Sequence, residues 1–185
     1  MIRVNFGSGP LRLPGWINVD LDASARPDVF ADLSRGLPFP DAGVDYVFTE
    51  DFVASLGLAG FRGFLRECRR IVKPQGAVRV LTPDLARLAR MYLEAPEALV
   101  SLWDRTVGVP VATRTACEVV NLAMELAGRF QFDGPTLVAL ADEAGFHAER
   151  VSWRRSRFAE LAGLDFRRPE ESVSMYHELY PRAPR

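Results

Sequence analysis

Val4-Asn5-Phe6-Gly7-Ser8-Gly9-Pro10 stands almost at the start of the chain, and Ile17-Asn18-Val19-Asp20-Leu21 follows ten residues later. A short apolar run leads into a Gly-x-Gly loop, and a second apolar run ends on an acid. This is the order of a nucleotide-type pocket. A first strand delivers a glycine turn that lets a ligand approach the backbone, and a second strand ends on a carboxylate that can accept from ribose hydroxyls. A nicotinamide-dinucleotide loop requires a third glycine three positions after Gly9, where this chain has Arg12. There is no Gly-Lys-Ser/Thr loop of a nucleotide triphosphatase either.

The bulk numbers set the frame. The 185 residues are enough for one domain with a core. A formal charge of -1 gives no whole-protein field toward nucleic acid or an anionic membrane. Cys68 and Cys117 form neither a disulfide framework nor a zinc pattern, and suit a reducing cytoplasm. Asn5 and Gly7 interrupt any signal-peptide core at the N-terminus, and no apolar run is long enough to span a bilayer.

Outward from the glycine loop, strands are expected at 2–6 and 16–20, with a weak element at 28–31. Leu37-Pro38-Phe39-Pro40-Asp41-Ala42-Gly43 is turn chemistry, and Val44-Asp45-Tyr46-Val47-Phe48 reads as a strand. Phe61, Phe64, Leu65, Cys68, Ile71 and Val72 recur at helical spacing. Lys73-Pro74-Gln75-Gly76 is expected to stop that helix and turn the chain into a strand over Ala77–Leu81. Residues 84–128 read as about three helices, broken at Pro96 and at Gly108-Val109-Pro110. Asp133 to Ala144 reads as one more, with Asp133 as N-cap and Gly145 as stop. Segments 147–154 and 172–179 are expected to close the sheet. Alternating strands and helices predict an α/β domain over 1–185 with a mainly parallel, doubly wound, Rossmann-like sheet, whose ligand lies at the strands' carboxyl ends.

Taken in order, these segments resemble class I S-adenosylmethionine-dependent methyltransferases of a small, poorly characterised type. The resemblance rests on Asn5-Phe6-Gly7-Ser8-Gly9, Gly15 through Leu21, Ala31-Asp32-Leu33, Leu37 through Asp45, Phe64 through Gly76 and Thr82-Pro83-Asp84-Leu85. It implies a seven-stranded sheet with one antiparallel strand, and S-adenosylmethionine as cofactor. It also implies that Gly7, Ser8 and Gly9 pack against the cofactor's methionine portion, with Phe6 and Leu21 flanking. Asp20 then accepts from the ribose, Asp32 meets the adenine amino group, Leu33 lies against the ring and Thr49 lines the methionine end. The expected activity is methyl transfer to a small molecule or a biosynthetic intermediate in the cytoplasm, with no nucleic-acid or membrane partner. The balanced charge shows no basic groove, and no Asn/Asp-Pro-Pro-aromatic tetrad follows the fourth strand.

Some positions carry two readings. Asp32-Leu33-Ser34 also suits a helical cap. Glu50 and Asp51, the catalytic candidates, either orient an acceptor and act as base with raised pKa values, or cap a helix N-terminus. Asp84 either faces the acceptor or caps a helix. His147 and His177 read as structural, and Trp153-Arg154-Arg155-Ser156-Arg157 as a solvated basic face. About nine residues separate the first two strands, with Pro10 and Pro14 among them, so any connecting helix shrinks to about a turn. The helical insert 84–128 is then left to serve as the substrate lid. A non-catalytic domain of the same fold is the alternative function.

Overall fold

The computed structural model describes residues 1–32 and 36–183. Seven strands form one sheet: β1 (Arg3–Phe6), β2 (Ile17–Asp20), β3 (Val29–Phe30), β4 (Val44–Glu50), β5 (Val72–Pro83), β6 (Phe146–Arg150) and β7 (Ser174–Pro181). Their order is β3-β2-β1-β4-β5-β7-β6. Pairings are parallel from β3 to β5, whereas β7 runs antiparallel to both β5 and β6. The helices are α1 (Gly57–Ile71), α2 (Leu85–Glu94), α3 (Pro96–Thr106), α4 (Ala116–Leu126) and α5 (Gly134–Glu143). The insert thus forms three helices broken at Ala95-Pro96 and at 107–115. Asp133 caps α5, its carboxylate accepting from the Thr136 N–H at 2.9 Å.

The two faces of the sheet are covered differently. On one, Phe61, Phe64, Leu65, Cys68 and Ile71 of α1 and Leu137, Leu140 and Ala141 of α5 pack on Val4, Phe6, Val47, Val78 and Val80. Each large side chain in that layer contributes roughly 1.5–3 kcal/mol relative to exposure. On the other face lie Phe48, Ala77, Leu81, Tyr176 and Tyr180. Leu13 and Trp16 cover them from the β1–β2 connection, and Trp153, Phe158 and Leu161 from the β6–β7 connection. Neither connection contains an α-helix. The insert packs around a centre of its own, built from Leu88, Leu99, Trp103, Val111, Ala116 and Val119.

Two local expectations are corrected. The β1–β2 connection holds no helical turn: its ten residues, 7–16, run as loop and turns between neighbouring parallel strands. Side-chain amides replace the helix's own hydrogen bonds. The Asn5 amide donates to Leu11 O and Asn18 Oδ1, while the Asn18 amide donates to Leu13 O, Trp16 O and Asp28. Asn18 Oδ1 accepts in turn from the Leu13 N–H. Buried main-chain groups need such partners, and two asparagines satisfy four of them here.

The second correction is at Lys73-Pro74-Gln75-Gly76, which does not turn the chain. Strand β5 begins directly at Val72. Its register with β4 passes from Val44↔Val72 to Tyr46↔Ala77, so the extra residues bulge within a continuing strand. At Gly76 a Cβ would press on the Asp45 carbonyl oxygen.

Candidate functional site

The glycine loop, Asp20, Asp32, Thr49, Glu50, Asp51 and Asp84 all fall at or just beyond the carboxyl ends of β1 to β5. The fold therefore brings the expected site residues to one edge. Leu33 lies outside the described residues. Leu21 is 56 % exposed, Asp32 is half-buried, and Phe6 is fully buried in the α1-side core rather than at a ligand surface.

Gly7 and Gly9 both have positive φ, +64° and +48°, a region L side chains avoid. They differ in their neighbours. A Cβ on Gly7 would overlap the Phe52 ring, so the close approach at Gly7 is made by this protein's own side chain. A Cβ on Gly9 would meet nothing within 4 Å, so the open side of the loop is at Gly9. Asp20 already holds the loop: Oδ2 accepts from the Gly9 N–H at 2.7 Å and Oδ1 from the Asp22 N–H at 2.8 Å. A carboxylate has about four acceptor sites, so two remain for hydroxyls. Ser8 Oγ and Thr49 Oγ1 are buried without a hydrogen-bond partner. Buried hydroxyls left unpaired beside an open glycine loop suit a polar ligand portion.

Glu50 and Asp51 do not cap a helix; the 3-10 turn Val53–Leu56 that follows has no side-chain cap. Both acids instead hold the β6–β7 connection. Glu50 accepts from the N–H groups of Phe166 (3.1 Å) and Arg167 (2.8 Å). Asp51 takes the Arg167 Nε at 2.9 Å, and the Tyr176 hydroxyl donates to the Arg167 carbonyl at 2.6 Å. Burial pushes the Glu50 carboxyl up to about 7, against the two N–H donors and with help from the charges of Asp51 and Asp165. Asp51 sits at φ +54°, a conformation an aspartate tolerates better than most residues.

A cavity of about 290 Å³ opens beside Asp51 and Ala54, lined by Leu88, Leu99, Leu102 and Trp103 of the insert and by Gln131. A wider, more polar recess of about 710 Å³ shares its Thr106, Arg167 and Glu171 and reaches Leu11 in the glycine loop. The two make a stepped cleft: an apolar inner chamber between insert and sheet edge, and an outer chamber leading toward the loop.

Other candidates take structural places. Asp84 caps α2 through the Ala86 N–H and lies 3.6 Å from the Arg150 guanidinium. His177 is 1 % exposed on β7, and burial, with the nearby Arg150 charge, pushes its imidazole down to about 4. Arg154 donates to Gly163 O, and Arg157 lies over the Tyr180 ring. Sequence reasoning missed Arg167, Gln131 and Trp103. Arg167 stands 116 residues from Asp51, and no motif announces a contact across that separation.

Comparison with known proteins bears on this edge. Residues 17–80 match the family model of a methyltransferase domain. No curated protein matches the sequence. Among solved structures, the mitomycin 7-O-methyltransferase MmcR aligns with 98 % of this chain and 49 % of its own, at TM-score 0.58 and 15 % identity. The chain thus spans about half the length of that enzyme. A DhpI complex with SAH aligns with 98 % of this chain and 77 % of its own, at TM-score 0.57 and 13 % identity. A SAM-dependent methyltransferase from Thermotoga maritima, described as a possible histamine N-methyltransferase, aligns at TM-score 0.54 and 18 % identity over 96 % and 81 % of the two chains.

Proposed function

We propose that this chain, a class I methyltransferase in fold and in the domain match over residues 17–80, transfers a methyl group from S-adenosylmethionine to a small organic acceptor. The observation that carries the reading is the stepped cleft, whose outer chamber reaches the glycine loop at Leu11 and whose inner chamber touches Asp51.

The residues present fit the cofactor. Gly9 offers open backbone, Asp20 keeps acceptor sites for hydroxyls, and Ser8 and Thr49 offer unpaired buried hydroxyls. Bound there, S-adenosylmethionine supplies an electrophilic methyl on a sulfonium. The protein's share is to hold the acceptor in line and keep water out, and such alignment can contribute about 7–11 kcal/mol at best. The two acids divide the remaining work. Asp51, lining the inner chamber, accepts a hydrogen bond from the acceptor and orients it. Glu50, poised near neutrality, holds the Phe166-Arg167 segment that walls the cleft, and stands in reserve as the base. The insert α2–α4 serves as the lid.

Calorimetry with S-adenosylmethionine and S-adenosylhomocysteine tests the reading. Binding of both is expected, with affinity lost in Asp20→Ala by about 10-fold or more. No heat from either compound at millimolar concentration would sink it.

A second reading is a binding or regulatory domain that retains the fold without turnover. It is favoured by one observation: Asp20 and Asp51 already hold partners within the chain. Cofactor binding with no methyl transfer across a broad acceptor panel would select it.

A further inference from the structure

We infer that the inner chamber is built for a ligand of one or two rings that is largely apolar and brings a hydrogen-bond donor, a hydroxyl or an amine, to Gln131 Oε1. The inference rests on the methyltransferase reading only in calling that ligand the methyl acceptor.

Size comes first. At about 290 Å³ the chamber lies at the small end of ligand cavities. Leu88, Leu99, Leu102, Trp103 and Leu126 stand in a mainly apolar wall, so the body it accepts is apolar.

The polar lining then sets the ligand's sign. Most side-chain donors in the wall are already used. Thr106 Oγ1 donates to Leu102 O (2.7 Å), Trp103 Nε1 to Val109 O (2.8 Å) and Ser172 Oγ to Arg168 O (2.9 Å). Arg167, in the wall of both chambers, gives its Nε N–H to Asp51 and keeps its Nη groups. Gln131 Nε2 donates to Ala123 O at 3.1 Å, which fixes the amide: exchanged, it would set two oxygens against each other. Gln131 Oε1 is therefore an acceptor, and it is buried with no partner. Such a carbonyl is destabilising until a donor reaches it. The Asp51 and Glu171 carboxylates add further acceptors. An acceptor left open at Gln131, with two carboxylates in the same wall, selects a ligand that donates.

Three naphthalenes of one shape test this by quenching of tryptophan fluorescence, Trp103 being in the wall. 2-Naphthol carries a donor, 2-methoxynaphthalene lacks it, and 2-naphthoate is an anion. 2-Naphthol is expected to bind about 3- to 10-fold tighter than the methoxy compound, the worth of one net hydrogen bond, and tighter than 2-naphthoate, which has no proton to donate near neutral pH. Gln131→Met should bring 2-naphthol down to the level of 2-methoxynaphthalene, and Ala123→Trp should abolish binding of all three. Equal affinity of the unmodified protein for 2-naphthol and 2-methoxynaphthalene overturns the inference. So does preference for 2-naphthoate, or no binding of any naphthalene. The ligand comparison needs no variant, so misfolding of Gln131→Met leaves it standing. The titrations contain no cofactor, so their failure is read separately from a failure to bind S-adenosylmethionine.

Discussion

Arg79 and Asp165, 86 residues apart in sequence, meet as a bidentate ion pair with Nε–Oδ1 at 2.6 Å and Nη2–Oδ2 at 2.5 Å, both side chains wholly excluded from solvent. Arg79 also donates to Glu178 Oε1 at 2.5 Å, and the Tyr180 hydroxyl donates to Glu178 Oε2. Asp165 accepts further from the Arg154 N–H. This cluster fastens the helix-free β6–β7 connection to the sheet and so sets where Phe166 and Arg167 stand beside the candidate acids.

A buried pair adds little over an apolar replacement, and Glu178 would still balance the Arg79 charge, but removing Asp165 leaves Arg79 Nε, Arg79 Nη2 and the Arg154 N–H buried without their acceptor. Asp165→Ala is expected to destabilise the protein by about 3–5 kcal/mol in urea unfolding. A loss under about 1 kcal/mol, the value of an exposed pair, would mean that solvent reaches the cluster.

How far the sequence discloses this architecture follows from where each interaction lies in the chain. Local patterns are legible. The 3.6-residue recurrence of Phe61, Phe64, Leu65, Cys68 and Ile71, the cap at Asp133 and the breaks at Pro96 and at 108–110 depend on neighbours a few residues away. The seven strands, one of them antiparallel, follow from the resemblance, whereas their order does not. The β5 bulge was not legible, because Lys73-Pro74-Gln75-Gly76 carries turn chemistry and only the partner strand decides between a turn and a bulge. The roles of Glu50 and Asp51 depend on Arg167, and Arg79 depends on Asp165. Those are long-range contacts between a strand and coil, where neither periodicity nor spacing leaves a trace.

The contact between Gly7 and Phe52 makes a second prediction. Gly7→Ala places a Cβ in the Phe52 ring and strains a backbone at φ +64°. A loss of about 1–3 kcal/mol is expected, from overpacking and positive φ together. In Phe52→Gly both the ring and the Cβ that the new methyl would meet are gone, so adding Gly7→Ala there should cost less than in the unmodified protein. Strict additivity in this double-mutant cycle would show that backbone strain alone explains Gly7.

Asn18 takes the place of a missing helix. Asn18→Ala leaves the Leu13 N–H and the carbonyls of Leu13 and Trp16 without these partners. A cost of about 2–4 kcal/mol is expected at roughly 1–3 kcal/mol for a buried group left unpaired, part of it recovered by water. The loop between Gly7 and Trp16 should also lose its shape. Cofactor affinity measured by calorimetry should then fall in Asn18→Ala although the side chain lies outside the cleft. Unchanged affinity would mean that Asp20 alone fixes the loop.

Glu50 predicts a pH dependence with a definite sign. Its carboxyl is raised from the ordinary carboxylate range to about 7, chiefly by burial. The folded protein therefore keeps a proton there that the unfolded chain has already released. The stability this confers is complete below the unfolded value and is lost as pH rises through about 7, amounting to no more than about 3 kcal/mol. His177 acts in the opposite sense. Its imidazole is lowered to about 4, so its contribution is present above the unfolded value near 6.5 and lost as pH falls. The two slopes overlap between pH 5 and 7, so a single profile would hide both. The difference between the unmodified protein and Glu50→Gln isolates Glu50, because His177 is common to the two. Urea unfolding from pH 5 to 8 should show the unmodified protein losing stability relative to the variant as pH rises, most steeply near 7. A flat difference would mean that Glu50 is ionised throughout, its two backbone donors outweighing burial, and would leave it a plain anchor for Arg167 with no proton to exchange near neutrality.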